Sequence, residues 1–231
     1  MLSGRPFARA AGEVFLRVTY GPGILKESRS STWTAPVYQE EASFASVYGI
    51  AKGLSFFAGL GYMFSNTVGV GIGLDRTSRE LTADGHILVP HPLYFDSSRE
   101  ASGSASGGMT ETALSLDLLW RLPFGRFEFD AWAGPALFLA NADVISGMPF
   151  TESAYPYETV SMVMQLEKGR KSAFGLSAGT SLDIRLSRGI ALSMTGRYLR
   201  ATAGFQPSGG IPRQSIALGG FKIGGGLKVA F

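Results

Sequence analysis

The stretch TALSLDLLWRL, residues 112–122, decides the fold class. Leu114, Leu116, Leu118, Trp120 and Leu122 recur at every second position, with Ala113, Ser115, Asp117, Leu119 and Arg121 between them. A period of two belongs to a β-strand, whose successive side chains point to opposite faces. One face here is wholly apolar, while the other carries small residues and charges of both signs.

The same division recurs along the chain. In EVFLRVTY (13–20), Val14, Leu16, Val18 and Tyr20 oppose Glu13, Arg17 and Thr19. LSFFAGLGYMF (54–64) aligns Leu54, Phe56, Leu60, Tyr62 and Phe64. TVGVGIGLD (67–75) sets Val68, Val70, Ile72 and Leu74 against Gly69, Gly71, Gly73 and Asp75. RFEFDAWAG (126–134) places Phe127 and Phe129 opposite Glu128, Asp130 and Trp132. FGLSAGTSLDIRL (174–186) separates Leu176, Leu182 and Ile184 from Ser177, Ser181, Asp183 and Arg185. IALSMTGRY (190–198) separates Ile190, Leu192, Met194 and Tyr198 from Ser193, Thr195 and Arg197, and FKIGGGLKVAF (221–231) closes the series. These make eight strands of about ten residues, the length that crosses a bilayer at barrel tilt.

Connections sort by length. Ser65-Asn66, Pro123-Phe124-Gly125 and Ser187-Arg188-Gly189 are tight, whereas 24–52, 80–110 and 141–171 are long and rich in Gly, Ser and Pro, with a shorter segment near 204–213. Short and long alternate strictly, as periplasmic turns and external loops do in outer-membrane barrels. The pattern predicts an all-β, closed antiparallel up-and-down transmembrane β-barrel of eight strands. It spans residues 1–231 as a single domain, with both termini periplasmic. Strand-like runs at 42–49, 159–167 and 214–220 are expected to continue above the membrane as hairpins. The rival is ten strands, with 42–50 crossing separately and turning at Ala51-Lys52-Gly53.

Composition agrees with this class. Among 231 residues there are 31 Gly, no Cys and only 17% charged residues, with a net charge of +3. No stretch reaches the roughly 18–20 apolar residues of a membrane helix. The basic residues are dispersed, which argues against a nucleic-acid stripe. Without Cys there is neither a disulfide nor thiol chemistry. Residues 1–11 lack the apolar core of a signal peptide, but Ala8-Arg9-Ala10 resembles the tail of a cleavage site. They are expected to be disordered or a signal-peptide remnant.

The charges decide which face is inside. Glu13, Arg17, Asp117, Arg121, Glu128, Asp130, Asp183, Arg185, Arg197, Lys222 and Lys228 share the non-apolar face, six basic and five acidic. Turned inward, they neutralise one another in a lumen that eight strands leave just wide enough for side chains. The alternatives are the solvated face of a soluble sandwich, or a gated ion path. Tyr20, Tyr62, Phe64, Trp120, Phe124, Phe127, Phe129, Phe138, Tyr198 and Phe231 are expected on the lipid side, most of them near strand ends where rings meet the headgroups.

With that frame in place, the closing strand gains meaning. Lys222, Gly224, Leu227, Val229 and Phe231 resemble the β-signal of bacterial outer-membrane barrels: a polar residue, a Gly two positions on, alternating hydrophobics and a terminal aromatic. With the eight-strand layout, the chain resembles small OmpA/OmpW-like barrels without a periplasmic domain. The resemblance implies recognition of the last strand by the barrel-assembly machinery. Its OmpW-type members imply a narrow channel for small or hydrophobic solutes.

Other candidate chemistry is sparse. His86 and His91 lie five apart without a Cys or carboxylate ligand set, so no metal or cofactor is expected. Asp96, Ser97 and Ser98 lie near them, but no H-x-S pairing suggests a lipid-modifying enzyme. SGSASGG (102–108) reads as a flexible loop tip. Arg76, Arg79, Lys168, Arg170, Lys171 and Arg200 sit just above the expected outer interface, where cations bind lipopolysaccharide phosphates or merely cap membrane strands. Trp33, Tyr38, Phe150, Tyr155 and Tyr157 enrich the external segments in aromatics. The leading expectation is a non-enzymatic barrel with a structural and surface-contact role. A narrow channel comes second.

Overall fold

The computed structural model describes residues 12–24, 27–207 and 211–231, with Glu27 by its backbone alone. Residues 1–11, expected to be a remnant or disordered, lie outside them. The described chain forms twelve β-strands and no helix. They are β1 (Glu13–Gly23), β2 (Glu27–Val37), β3 (Glu40–Ile50), β4 (Gly53–Met63), β5 (Val68–Pro90) and β6 (Ser98–Phe124). They continue with β7 (Phe127–Gly147), β8 (Phe150–Glu152), β9 (Val160–Met162), β10 (Gln165–Arg185), β11 (Ile190–Phe205) and β12 (Gln214–Ala230).

Eight of these close a ring in the order β1-β4-β5-β6-β7-β10-β11-β12, every pair antiparallel, with β12 returning to β1. The seam pairs Leu16 with Val229 and Arg17 with Lys228. The ten-strand rival fails because β3 and β4 run in one line along β5. β4 pairs with 69–78 of β5 and β3 with 81–88, the break falling at Ala51-Lys52. The β2–β3 hairpin therefore rises above the ring rather than crossing beside it.

Short joints lie at one end of the ring. Pro123 and Phe124 prove to be paired with Glu128 and Phe127, so that joint is the two-residue turn Gly125-Arg126 rather than Pro123–Gly125. Gly125 has φ 67°, which glycine supplies without steric cost at the first central position of a II′ turn. At 65–68 the Ser65 hydroxyl accepts the Val68 N–H at 2.9 Å.

The other end is far more regular than its composition suggests. β5 runs unbroken to Pro90 and β6 begins at Ser98, so the 80–110 segment is a hairpin with its tip at 91–97. SGSASGG is no loop tip; it lies within β6, paired with 80–86 of β5. Its small residues make room for what packs over them: a Cβ at Gly103 would meet the Met162 methyl at 3.1 Å. Local propensity yields here to a long partner strand.

Polarity inverts along the strands. On β5, Val70, Ile72 and Leu74 point out and Asp75, Thr77 and Arg79 point in. Beyond Arg79 the buried side is Leu81, Ala83, Ile87 and Val89, and the outer side is Glu80, Thr82, Asp84 and His86. β7 repeats this, with Glu128 and Asp130 buried below and Phe138, Ala140, Ala142 and Val144 buried above. Phe138, expected at an interface, is thus an interior residue, because even positions of β7 face the lumen throughout. The lower barrel is apolar outside and ionic inside, whereas the upper barrel is built like a water-soluble one. Only a membrane around the lower part suits both halves.

Candidate functional site

The lower lumen holds a closed ionic network. Arg17 donates to Asp130 at 2.5 Å and to Asp183 at 2.8 Å. Lys228, opposite Arg17 on the next strand, reaches Glu128, Asp130 (2.6 Å) and Asp183 (2.9 Å). Arg121 lies 2.9 Å from Glu13, 3.0 Å from Asp130 and 3.1 Å from Glu128, and Arg185 donates to Glu128 at 2.6 Å. Four cations thus face four carboxylates drawn from β1, β6, β7, β10 and β12. Carboxylate oxygens of Glu128, Asp130 and Asp183 lie within 4.8 Å of one another, a spacing a metal ion can bridge. The Lys228 ammonium occupies that role.

An aromatic layer covers this network. Phe57 stacks on Trp132 with centroids 6.2 Å apart and planes at 9°. Arg17 lies 5.1 Å from the Trp132 ring and Arg197 4.4 Å from the Phe57 ring, one cation for each member. Gly179 lets the indole lie flat, since a Cβ there would come within 2.5 Å of it.

Beyond the rings lies a second ionic tier. Asp75 accepts from Arg197, from Lys222 at 2.6 Å and from Thr77 at 3.2 Å. Arg79 and Glu111, 3.8 Å apart, grip the peptide of Gly219: Arg79 donates to its carbonyl and its N–H donates to Glu111 at 2.8 Å. Gly219 has φ 92°, a turned-in conformation that exposes both groups to them. Asp117 stands apart; Ser115 donates to it at 2.6 Å, and it borders a cavity of about 20 Å³ shared with Arg17 and Trp132. That is room for one water.

Every ionic residue expected in the lumen is inward-facing, though Asp117 is bridged to no cation among the described residues. Asp75 falls on the lumen face by its alternation with Leu74 but was not counted in the ionic set, and Arg79 and Glu111 were not expected there. Arg79, assigned to lipopolysaccharide, is buried instead, because odd positions of β5 keep facing inward beyond Asp75. Arg76, Lys168, Arg170, Lys171 and Arg200 are exposed. Tyr20, Tyr62, Phe64, Trp120, Phe127 and Tyr198 are exposed on the apolar belt and Phe129 is half-exposed. Of the closing strand, Lys222 and Gly224 face in, Leu227 and Phe231 out, and the Phe231 N–H donates to the Val14 carbonyl at 2.9 Å.

Comparison with solved structures places this architecture. The outer membrane protein OprG from Pseudomonas aeruginosa superposes with a TM-score of 0.56 over 97% of this chain and 98% of that one, at 13% identity. The fold is that of a small outer-membrane β-barrel. Outer Membrane Protein W of E. coli (15% identity, 96% of this chain and 100% of that one, TM-score 0.36) and Ail of Yersinia pestis (13%, 94% and 99%, TM-score 0.42) are more distant. No protein-family model matches the sequence, and the curated proteins return no match.

The upper end of the barrel is capped by the 148–164 segment, which carries β8 and β9. Met148, Met162 and Met164 converge on Gly85, where a Cβ would lie 3.0–3.1 Å from each. Arg99 latches the cap: it donates to Glu152, to the Tyr157 carbonyl at 2.6 Å and to the Pro90 carbonyl at 2.7 Å. The Tyr38 hydroxyl donates to the same carboxylate. Burial pushes the Glu152 carboxyl up, but those two donors outweigh it and hold it below its ordinary value. Deeper in, Tyr48 donates to Gln214 and accepts the Ile145 N–H at 2.6 Å; burial pushes its pKa to about 12, so the hydroxyl keeps its proton.

The cap also sorts the aromatics of the long segments. Trp33 is stacked on Phe44 at 5.5 Å and Phe150 packs against the upper core, so neither is a free contact. Tyr155 stays 77% exposed. The tip of β5–β6 adds Tyr94 and, at 81%, Phe95, which sequence reading passed over because the whole segment looked like a flexible loop. His86 faces Glu100 at 3.4 Å, while His91 accepts the Leu93 N–H on Nδ1 and packs on Tyr94.

Proposed function

We propose that this protein is an integral outer-membrane barrel, termini periplasmic, whose role is structural and surface-contact rather than catalytic. The observation that carries the reading is the exposure of Tyr94, Phe95 and Tyr155 at the tips farthest from the short turns, above a lumen crossed by salt bridges. Exposed rings at a tip favour an interface role over folding. Arg76, Lys168, Arg170, Lys171 and Arg200 flank the apolar belt as partners for lipopolysaccharide phosphates. The closing strand is the segment the assembly machinery reads. The test is adherence of cells displaying the protein to protein-coated surfaces and epithelial monolayers. Replacing Tyr94, Phe95 and Tyr155 together by Ser should abolish adherence while leaving the heat-shifted gel band intact; unchanged adherence defeats the reading.

The second reading is a narrow passage for small or hydrophobic solutes. It is favoured by a split in the wall: the β10–β11 ladder ends at Gly175 and Ala201, although both strands continue upward beside the apolar interior at Phe138 and Phe205. Planar-bilayer recordings separate the two. The contact role expects no reproducible single-channel steps, and steps of uniform size would favour the passage.

A further inference from the structure

The wall is open at a second place, above the closing seam. β1 and β12 pair up to Gly23 and Lys222, and the Ile24 N–H adds one bond to the Phe221 carbonyl at 2.8 Å. Above that point β12 pairs only with β11, and β2 only with β3, among the described residues. Between β2 and β12 lies a cleft of about 200 Å³.

Its lips are polar and its floor apolar. Arg29, Ser30 and Ser31 of β2 face Arg213 and Ser215 across the opening. Ile50, Leu81 and Ile216, all buried, form the floor. That floor is preformed: Tyr48 and Gln214 are tied to each other and to the Ile145 backbone, with Gln214 Nε2 donating to its carbonyl at 3.1 Å. Arg213 is exposed, and its guanidinium lies so close over Gly204 that a Cβ there would clash with Nε. It forms no ion pair among the described residues.

We propose that this cleft binds one acidic sugar unit. Its volume lies below the roughly 300–1,000 Å³ of pockets for drug-sized ligands, which suits a single ring. Arg213 on the lip takes the carboxylate or phosphate. The serine hydroxyls take sugar hydroxyls, and the C–H face of the ring lies against Ile50 and Ile216, with Leu81 behind them. A floor that is already rigid loses little entropy on binding. Such a sugar reaches the cleft from two sources, the core of the surrounding lipopolysaccharide or a glycan outside the cell. The inference rests on the extracellular placement of β2–β3 proposed above. Labelling of Ser30→Cys on intact cells by an impermeant maleimide checks that placement separately.

The experiment is a titration of the barrel in lipid nanodiscs, with ¹³C-methyl labels on Ile and Leu. Glucuronate should shift Ile50, Leu81 and Ile216 saturably, glucose about tenfold more weakly, and Arg213→Gln should weaken glucuronate by about tenfold or more. Ala217→Leu, which fills the cleft without changing charge, should remove the response to both sugars, and an unaltered gel shift certifies that each variant is folded. No saturable shift with glucuronate, or equal affinity in Arg213→Gln, overturns the proposal. Shifts already present in nanodiscs of core-bearing lipopolysaccharide, but not of lipid A, and lost in Arg213→Gln, identify the leaflet's own sugar. Their absence alongside glucuronate binding identifies a free glycan. If an acidic strand peptide shifts the amides of 214–217 while glucuronate does nothing, the cleft is a strand-docking edge and the sugar proposal falls.

Discussion

Lys228 and Arg17 are like charges paired directly across the closing seam. They are compatible only because Glu128, Asp130 and Asp183 surround them on the lumen side. Removing Lys228, 1% exposed, leaves three buried carboxylates short of one cation. Lys228→Met should therefore cost about 3–5 kcal/mol, read as a lower urea midpoint of the unheated gel band. Adding Glu128→Gln restores the charge balance and should recover part of the loss; an unshifted midpoint in the single variant would show that the network holds nothing together. The lower charges were legible in sequence because lipid-facing Leu and Val mark the phase of each strand. Asp75 shares that phase through Leu74, whereas Arg79 and Glu111 were not legible, because the outer positions beside them, Ser78 and Thr112, are polar. Where both faces are polar, alternation gives no signal, although the strand simply continues.

At the scale of elements, the last strand and the cap behave differently. β12 is held by β11 along its whole length and by β1 over its lower half, and Phe231 supplies the final bond of the seam. Deleting Phe231 should lower the amount of heat-shifted barrel in the outer membrane; normal insertion would count against a role for it in closure. The cap depends instead on one carboxylate. Glu152 is held below its ordinary pKa, so its contribution is complete above about pH 5 and is lost as pH falls through the lowered value. Amide exchange at 150–162 should thus stay slow from neutrality to mild acid and accelerate in stronger acid, while Glu152→Gln should be fast throughout. Equal protection in the variant would remove the latch. The ring strands could be read from their period. The run of β6 through SGSASGG could not, since only its pairing with β5 makes it a strand. The latch was equally hidden, because Arg99, Glu152 and Tyr38 are far apart in sequence and meet only through the hairpins.

Taken whole, the molecule is a closed eight-strand ring below and a split-walled β-layer above in which β2 and β3 stand in for β1 and β4, and the ring and its inside-out lower half follow from strand period and loop asymmetry. The upper half was obscured because its Leu, Ile, Val and Phe are interleaved with Ala, Gly and Met, which carry weak strand signals, and because both faces of its strands hold polar residues. The inversion of polarity has a thermal consequence. Opening the upper half exposes Leu81, Ile87, Phe138 and Val144 to water, so its closure draws on a driving force that fades on cooling. Opening the lower half would put its outer Leu and Val into nothing but more lipid, and its ladders and ion pairs lack that dependence. Between about 25 °C and 0 °C, exchange at 81–89 and 138–144, corrected for intrinsic rate, should become easier while 114–122 and 176–184 stay protected. The part outside the membrane would then be the part that senses cold, joined to an anchor that does not.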